Sequence, residues 1–217
     1  MVKEVIGLLK YLIVFAVLAL VLPAQADVLW NQPTAAGANA VSSQDYITWS
    51  CRGFDDFTAG ALGWTVNKVT VYGYEMGSGG TPKLAFTTSA NNTAIGTTYT
   101  GTEVGAGSAA DFVFDLPDVY VAPGDWWITS WIVRPDPEGT MNQWFWDYIT
   151  PVTGSEAYWQ LSGSSPVPLG SSLYTYPKDL AFKIEGTLGQ PVVPEAGALV
   201  LAISGIPAVA FFIRRRK

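Results

Sequence analysis

Between Asp27 and Pro194, apolar and polar positions alternate in short runs separated by Gly, Pro, Asn, Asp and Ser. That is the pattern of half-buried strands joined by turns, and no amphipathic helix of convincing length interrupts it. In DFVFDLPD, Phe112, Phe114 and Leu116 share one face while Val113 and Asp115 share the other. In GDWWITSWIV, Trp127, Thr129, Trp131 and Val133 face one way and Trp126, Ile128, Ser130 and Ile132 the other. Both faces are largely apolar, which predicts a central strand buried on two sides. WTVNKVTVYGY carries Val66, Val69 and Val71 and runs toward a loop at Gly77-Ser78-Gly79-Gly80-Thr81-Pro82. QWFWDY puts Trp144, Trp146 and Tyr148 on one face, and in DLAFKIE Leu180, Phe182 and Ile184 point inward with Lys183 and Glu185 outward, as the last strand. An all-β sandwich or barrel is expected.

The two ends break this pattern. Lys3 and Lys10 precede an uncharged run from Tyr11 to Leu22, then Pro23 and Ala24-Gln25-Ala26, the charged, apolar, small-x-small order of a secretory signal peptide. A retained N-terminal membrane helix is the alternative, but the apolar run is short of the ~20 residues a span requires. At the other end, Ala196 to Ile213 is uncharged, and its 18 residues would reach ~27 Å as a helix, enough for a bilayer core. Arg214, Arg215, Arg216 and Lys217 follow and would remain on the cytoplasmic side, placing everything before the segment outside. Residues 1–26 are thus expected to be a signal peptide, 27–186 an exported domain, 187–193 a linker and 194–217 a membrane segment (196–213) with a basic tail (214–217).

Charge narrows the partners. Outside the two ends the chain keeps 6 of its 12 Lys and Arg and 16 of its 18 Asp and Glu, a net charge of about −10. Nucleic acid is excluded, because phosphate contacts need clustered cations. Cys51 is the single cysteine, so no intramolecular disulfide exists and the domain must be held by its core. A buried, inert thiol is expected, with intermolecular pairing as the alternative.

The C-terminal sequence resembles the PEP-CTERM sorting signal of bacterial proteins handled by exosortase. Val193, Pro194 and Glu195 match its start and Arg214 to Arg216 its basic end, while Ala196 stands where that signal has proline. The resemblance implies a precursor held in the inner membrane until cleavage near Pro194-Glu195 releases the domain to the cell surface or matrix. It also implies signal peptidase, the export machinery and an exosortase-like enzyme as partners; the alternative is a permanent anchor. Asp55 to Tyr74, Ala122 to Trp131 and Asp179 to Thr187 look like uncharacterised secreted domains that often precede such tails, whose implied fold is a jelly-roll-like antiparallel β-sandwich.

Catalytic chemistry is sparse. The chain has no histidine, which removes Ser-His-Asp and Cys-His arrangements and His-based zinc sites. Paired carboxylates could still cleave glycosides, and Asp55, Asp56, Asp147 and Glu156 are the candidates. No cofactor is expected; a structural Ca²⁺ would draw on Asp115, Asp118, Asp125, Asp136 and Glu138. Nine tryptophans form the one excess. Trp144, Trp146 and Tyr148 would make a platform for a polysaccharide if exposed, or core packing if not. The expected protein is therefore a non-catalytic surface or matrix domain, with a carbohydrate-binding module and a glycoside-acting enzyme as alternatives.

Overall fold

The alternation in DFVFDLPD continues into the longest strand of the computed structural model, β10 (Asp111–Val121), where Phe112, Phe114 and Leu116 are buried and Asp115 is exposed. The structure describes residues 26–34, 39–45, 50–76, 79–90, 96–105, 109–134, 143–150, 152–172 and 177–190. The expected signal peptide, membrane segment and sorting signal lie outside the described residues, apart from Ala26.

Three sheets make up an all-β, sandwich-like fold. The first has the order β1 (Asp27–Gln32), β16 (Phe182–Leu188), β5 (Trp64–Val71), β10 and β9 (Thr102–Val104), antiparallel throughout. The second runs β14 (Val167–Pro168), β13 (Tyr158–Leu161), β4 (Cys51–Ala59), β3 (Gln44–Asp45), β11 (Gly124–Val133), β7 (Thr81–Thr87) and β8 (Thr98–Thr100). Within it β4 also pairs directly with β11, and β3 meets β11 in parallel. A smaller third sheet holds β15 (Asp179–Leu180), β12 (Gln143–Ile149) and β2 (Ala40–Ser42), with β6 (Gly73–Met76) also on β12. A helical turn, α1 (Leu169–Ser172), follows β14.

Central burial of β11 follows its double apolar face: residues from Ile128 to Ile132 are all buried between the flanking β4 and β7. The two large sheets meet through aromatics. Phe57 stacks on Trp64 at 5.6 Å with planes 11° apart and meets Phe182 edge-on at 6.4 Å. Arg134, just after β11, and Glu75 of β6 form a buried ion pair that ties the second sheet to the third.

Two local features depart from the sequence pattern. DLAFKIE does not form one strand: Leu180 pairs with Tyr148 of the third sheet, whereas Phe182 pairs with Gln32 and Val71 of the first. Ala181 is the switch, its N–H bonded to Asp147 O at 2.8 Å and its carbonyl to Tyr72 N at 3.0 Å, so neither backbone group is stranded. β16 also runs on to Leu188, so Thr187 and Leu188, expected in the linker, pair with Thr65 and Trp64. In β10 the register against β5 breaks between Asp115 and Val119, with Asp118 at φ +48°. This bulge reverses the inward parity: even positions face the core up to Leu116, and Val121 is buried beyond it.

Gly101 lets the chain cross from β8, on the edge of the second sheet, to β9, on the edge of the first. A Cβ there would lie 2.6 Å from Phe114 Cδ1 and Cε1 and 2.8 Å from Val113 O. Gly101→Ala is accordingly expected to cost about 1–3 kcal/mol through overpacking. Thermal melting should report this as a fall of roughly 2–12 °C, and an unchanged midpoint would mean that the crossover is looser than described.

Candidate functional site

The face predicted on β12 exists but points inward. Trp144 and Trp146 are 0% exposed and Tyr148 is 7% exposed. Trp144 stacks on Phe112 at 4.2 Å and donates its indole N–H to Ala110 O at 2.8 Å. Trp146 meets Phe182 edge-on at 6.4 Å and donates to Ala181 O at 2.9 Å. No ring face is left for a sugar, so the platform reading of Trp144, Trp146 and Tyr148 is corrected to core. The physical reason is that β12 lies between β6 and β2 and turns these rings onto β10 and β16.

The candidate carboxylates converge only in part, around a residue that sequence did not single out, Asp179. Asp55 sits on the inward face of β4 at 0% exposure, and Asp179 at the start of β15 is equally buried. Gln32 of β1 bridges them, donating from Nε2 to Asp179 Oδ2 at 3.0 Å and to Asp55 Oδ2 at 3.5 Å. Main-chain amides complete the cage. Leu180 N–H donates to Asp55 Oδ2 at 2.7 Å, Asp56 N–H to Asp55 Oδ1 at 2.9 Å, and Thr153 N–H to Asp179 Oδ2. Asp179 Oδ1 is buried with no hydrogen-bond partner.

Burial dominates the acidity of this group. It raises Asp55 well above the usual carboxylate range, with the Asp179 charge adding to the effect. Burial likewise raises Asp179 to about 6, against the opposing hydrogen bonds from Thr153 and Gln32. Both carboxyl groups are thus pushed toward their neutral form, and the charge on Asp179 further opposes ionisation of Asp55. Asp56 points to the opposite face, where both its oxygens accept from Ser155 N–H at 3.0 Å. Glu156 accepts from Gly170 N–H of α1. Asp147 stands apart, accepting from Thr34 Oγ1 at 2.8 Å, with its pKa raised first by burial.

Of the residues considered for Ca²⁺, Asp115, Asp118 and Asp125 are exposed, and Asp125 accepts from Thr58 Oγ1 at 2.8 Å. Asp136 and Glu138 lie outside the described residues. Among the described residues no group of three or more His, Cys, Asp or Glu side chains is arranged to hold a metal. Cys51 is free and buried, as expected of an inert thiol; burial raises its pKa, and Sγ lies 3.2 Å from Ser42 O.

One feature was invisible in the sequence. Near the Gly101 crossover lies a cleft of ≈ 170 Å³, lined by β7, β8 and the start of β11 from the second sheet and by the end of β10 from the first. Phe86, Tyr99, Val119 and Trp126 line it together with Thr97 and Tyr120. The bulge in β10 puts Val119 there, and in DFVFDLPDVYV it is marked only by Pro117 and Asp118.

No family model matches the chain, and no curated protein matches it. Among solved structures it is similar to the clostridial cysteine protease Cwp84 after propeptide cleavage, with a TM-score of 0.52 at 10% identity, covering 77% of this chain and 41% of that one. A structure of the cysteine protease and lectin-like domains of Cwp84, a surface layer associated protein of Clostridium difficile, aligns with a TM-score of 0.46 at 10% identity over 65% of this chain and 33% of that one. The chain therefore spans less than half the length of the proteins it matches, and at this identity the first likeness speaks to the fold alone.

Proposed function

We propose that the chain is a non-catalytic, jelly-roll-like domain exported to the cell surface or extracellular matrix and sorted through its C-terminal apolar and basic segment. The observation that carries the non-catalytic reading is the placement of its acid–base chemistry. Asp55 and Asp179, the two carboxylates that Gln32 bridges, are both 0% exposed and held by main-chain amides. A glycoside-cleaving pair needs its carboxyl groups on either side of a substrate in a cleft. Cysteine-protease chemistry finds no footing either, since Cys51 is buried and the chain has no histidine to activate it.

Sorting rests on Val193, Pro194, Glu195 and Arg214 to Arg216, and its partners would be the export machinery and an exosortase-like enzyme. Intact mass measurement of the protein recovered from the cell surface tests it. The expected mature chain begins near Asp27 and ends near Pro194-Glu195; recovery of a chain that still carries Lys217 would replace processing with a permanent anchor.

A further inference from the structure

We infer that the cleft between Tyr99 and Trp126 is a binding site for a neutral saccharide, taking one ring of a longer glycan. Three observations point there. The first is its chemistry: the lining is aromatic and hydroxylic, with the rings of Phe86, Tyr99 and Trp126 and the hydroxyls of Thr97 and Tyr99, and none of the lining residues is charged. Such a surface suits a pyranose, whose C–H face stacks on aromatic rings while its hydroxyls need neutral donors and acceptors. A phosphate or carboxylate ligand would find no cation among these residues. Burial raises the Tyr99 phenol further above neutral pH, so it stays an O–H group that both donates and accepts.

The second is preorganisation. Trp126 donates its indole N–H to Ala122 O at 2.8 Å, which holds the ring and leaves its face, not its polar edge, for a ligand. Phe86 lies 6.3 Å from Tyr99 and 5.9 Å edge-on from Phe57, itself stacked on Trp64. The aromatic wall thus continues the core, so ordering it on binding costs little. The third is size. At ≈ 170 Å³ the cleft is smaller than the ~300–1,000 Å³ of pockets that enclose whole ligands, which fits a single ring with the rest of the chain in solvent. The inference rests on the reading of an exported surface domain only for the source of the glycan, a polysaccharide of the cell surface or matrix.

The test uses the full chain, purified in a detergent without a sugar headgroup, titrated calorimetrically with soluble cello-, chito-, manno- and xylo-oligosaccharides. At least one series is expected to bind. Trp126→Ala and Tyr99→Ala should each weaken that binding on the order of tenfold, the scale of one lost ring contact. Trp127→Ala should leave it unchanged, since Trp127 lies on the opposite face of β11 against Tyr158 at 5.4 Å. Thr97 is exposed, so Thr97→Trp fills the cleft without altering the core and should abolish binding; it decides the matter if the aromatic variants fail to fold. Absence of binding to every series would overturn the site, as would full affinity in Thr97→Trp or preference for anionic polymers or phospholipid vesicles. None of these outcomes depends on whether the tail is cleaved, so failure here and failure of the sorting proposal are read separately.

Discussion

Trp146→Ala is expected to destabilise the protein by about 3–5 kcal/mol, the usual cost of removing a large aromatic from a closed core. The indole is 0% exposed, lies 6.2 Å from Trp144 and 6.4 Å from Phe182, and reaches toward Gly53, where an added Cβ would sit 3.1 Å from its Cε3. The cavity would open where the third sheet meets the first, beside the strand switch whose Ala181 carbonyl accepts the indole N–H. That carbonyl keeps its bond from Tyr72 N, so most of the loss should come from packing. Trp146→Phe separates the two contributions: it keeps much of the ring volume, gives up the hydrogen bond, and should cost about 1–2 kcal/mol more than a perfect hydrophobic replacement. Urea unfolding followed by far-UV circular dichroism measures both. A loss below about 1 kcal/mol for the alanine variant would put the ring at the surface and restore the platform on β12.

The second large effect is a stability that declines as pH rises through the weakly acidic range. Asp179 has a folded-state pKa of about 6, against roughly 3.9 for an unfolded aspartate. Between those values the folded protein binds more protons than the unfolded chain, so the slope of stability against pH is negative there. The contribution is fully present below about pH 4 and lost by the time pH has passed about 6, on the order of 3 kcal/mol for a shift of about two units. Asp55, raised well above the usual carboxylate range first by its burial, acts in the same direction. Asp179→Asn should flatten the profile between pH 4 and 6 and stabilise the protein at pH 7, because the amide still accepts from Thr153 N–H but carries no charge into the core. Stability measured across this range in both proteins decides it. A wild-type profile that climbs from pH 4 to 6 would mean that Asp179 is ionised and compensated within the fold.

Much of the architecture was legible because alternation reports burial directly. Phe112, Phe114 and Leu116 face the core as read, and the doubly apolar β11 lies between two partners. What alternation reports is a face, not its destination. The Trp144, Trp146 and Tyr148 face was identified correctly, but a stripe of aromatics reads alike whether a sugar or a second sheet covers it. Parity also fails where register does. Leu180 and Phe182 share a face in an ideal strand yet belong to different sheets, and Val121 became inward only through a bulge. The acidic cluster was beyond reach for another reason: Asp55 and Asp179 are 124 positions apart, and only the meeting of β1, β4 and β15 brings both within reach of Gln32.

The place of β16 in the first sheet has a consequence for how the chain acquires its shape. Its hydrogen-bonded neighbours are β1 and β5, so among the described residues the N-terminal strand of the sandwich is hydrogen-bonded to the rest of its sheet only through the C-terminal one. A chain emerging vectorially, from a ribosome or a secretion pore, cannot complete this sheet until Leu188 is free, and β1 waits unpaired for about 150 residues. Contacts of such high order make folding slow. The strand that locks this sheet is thus the last of its members to arrive.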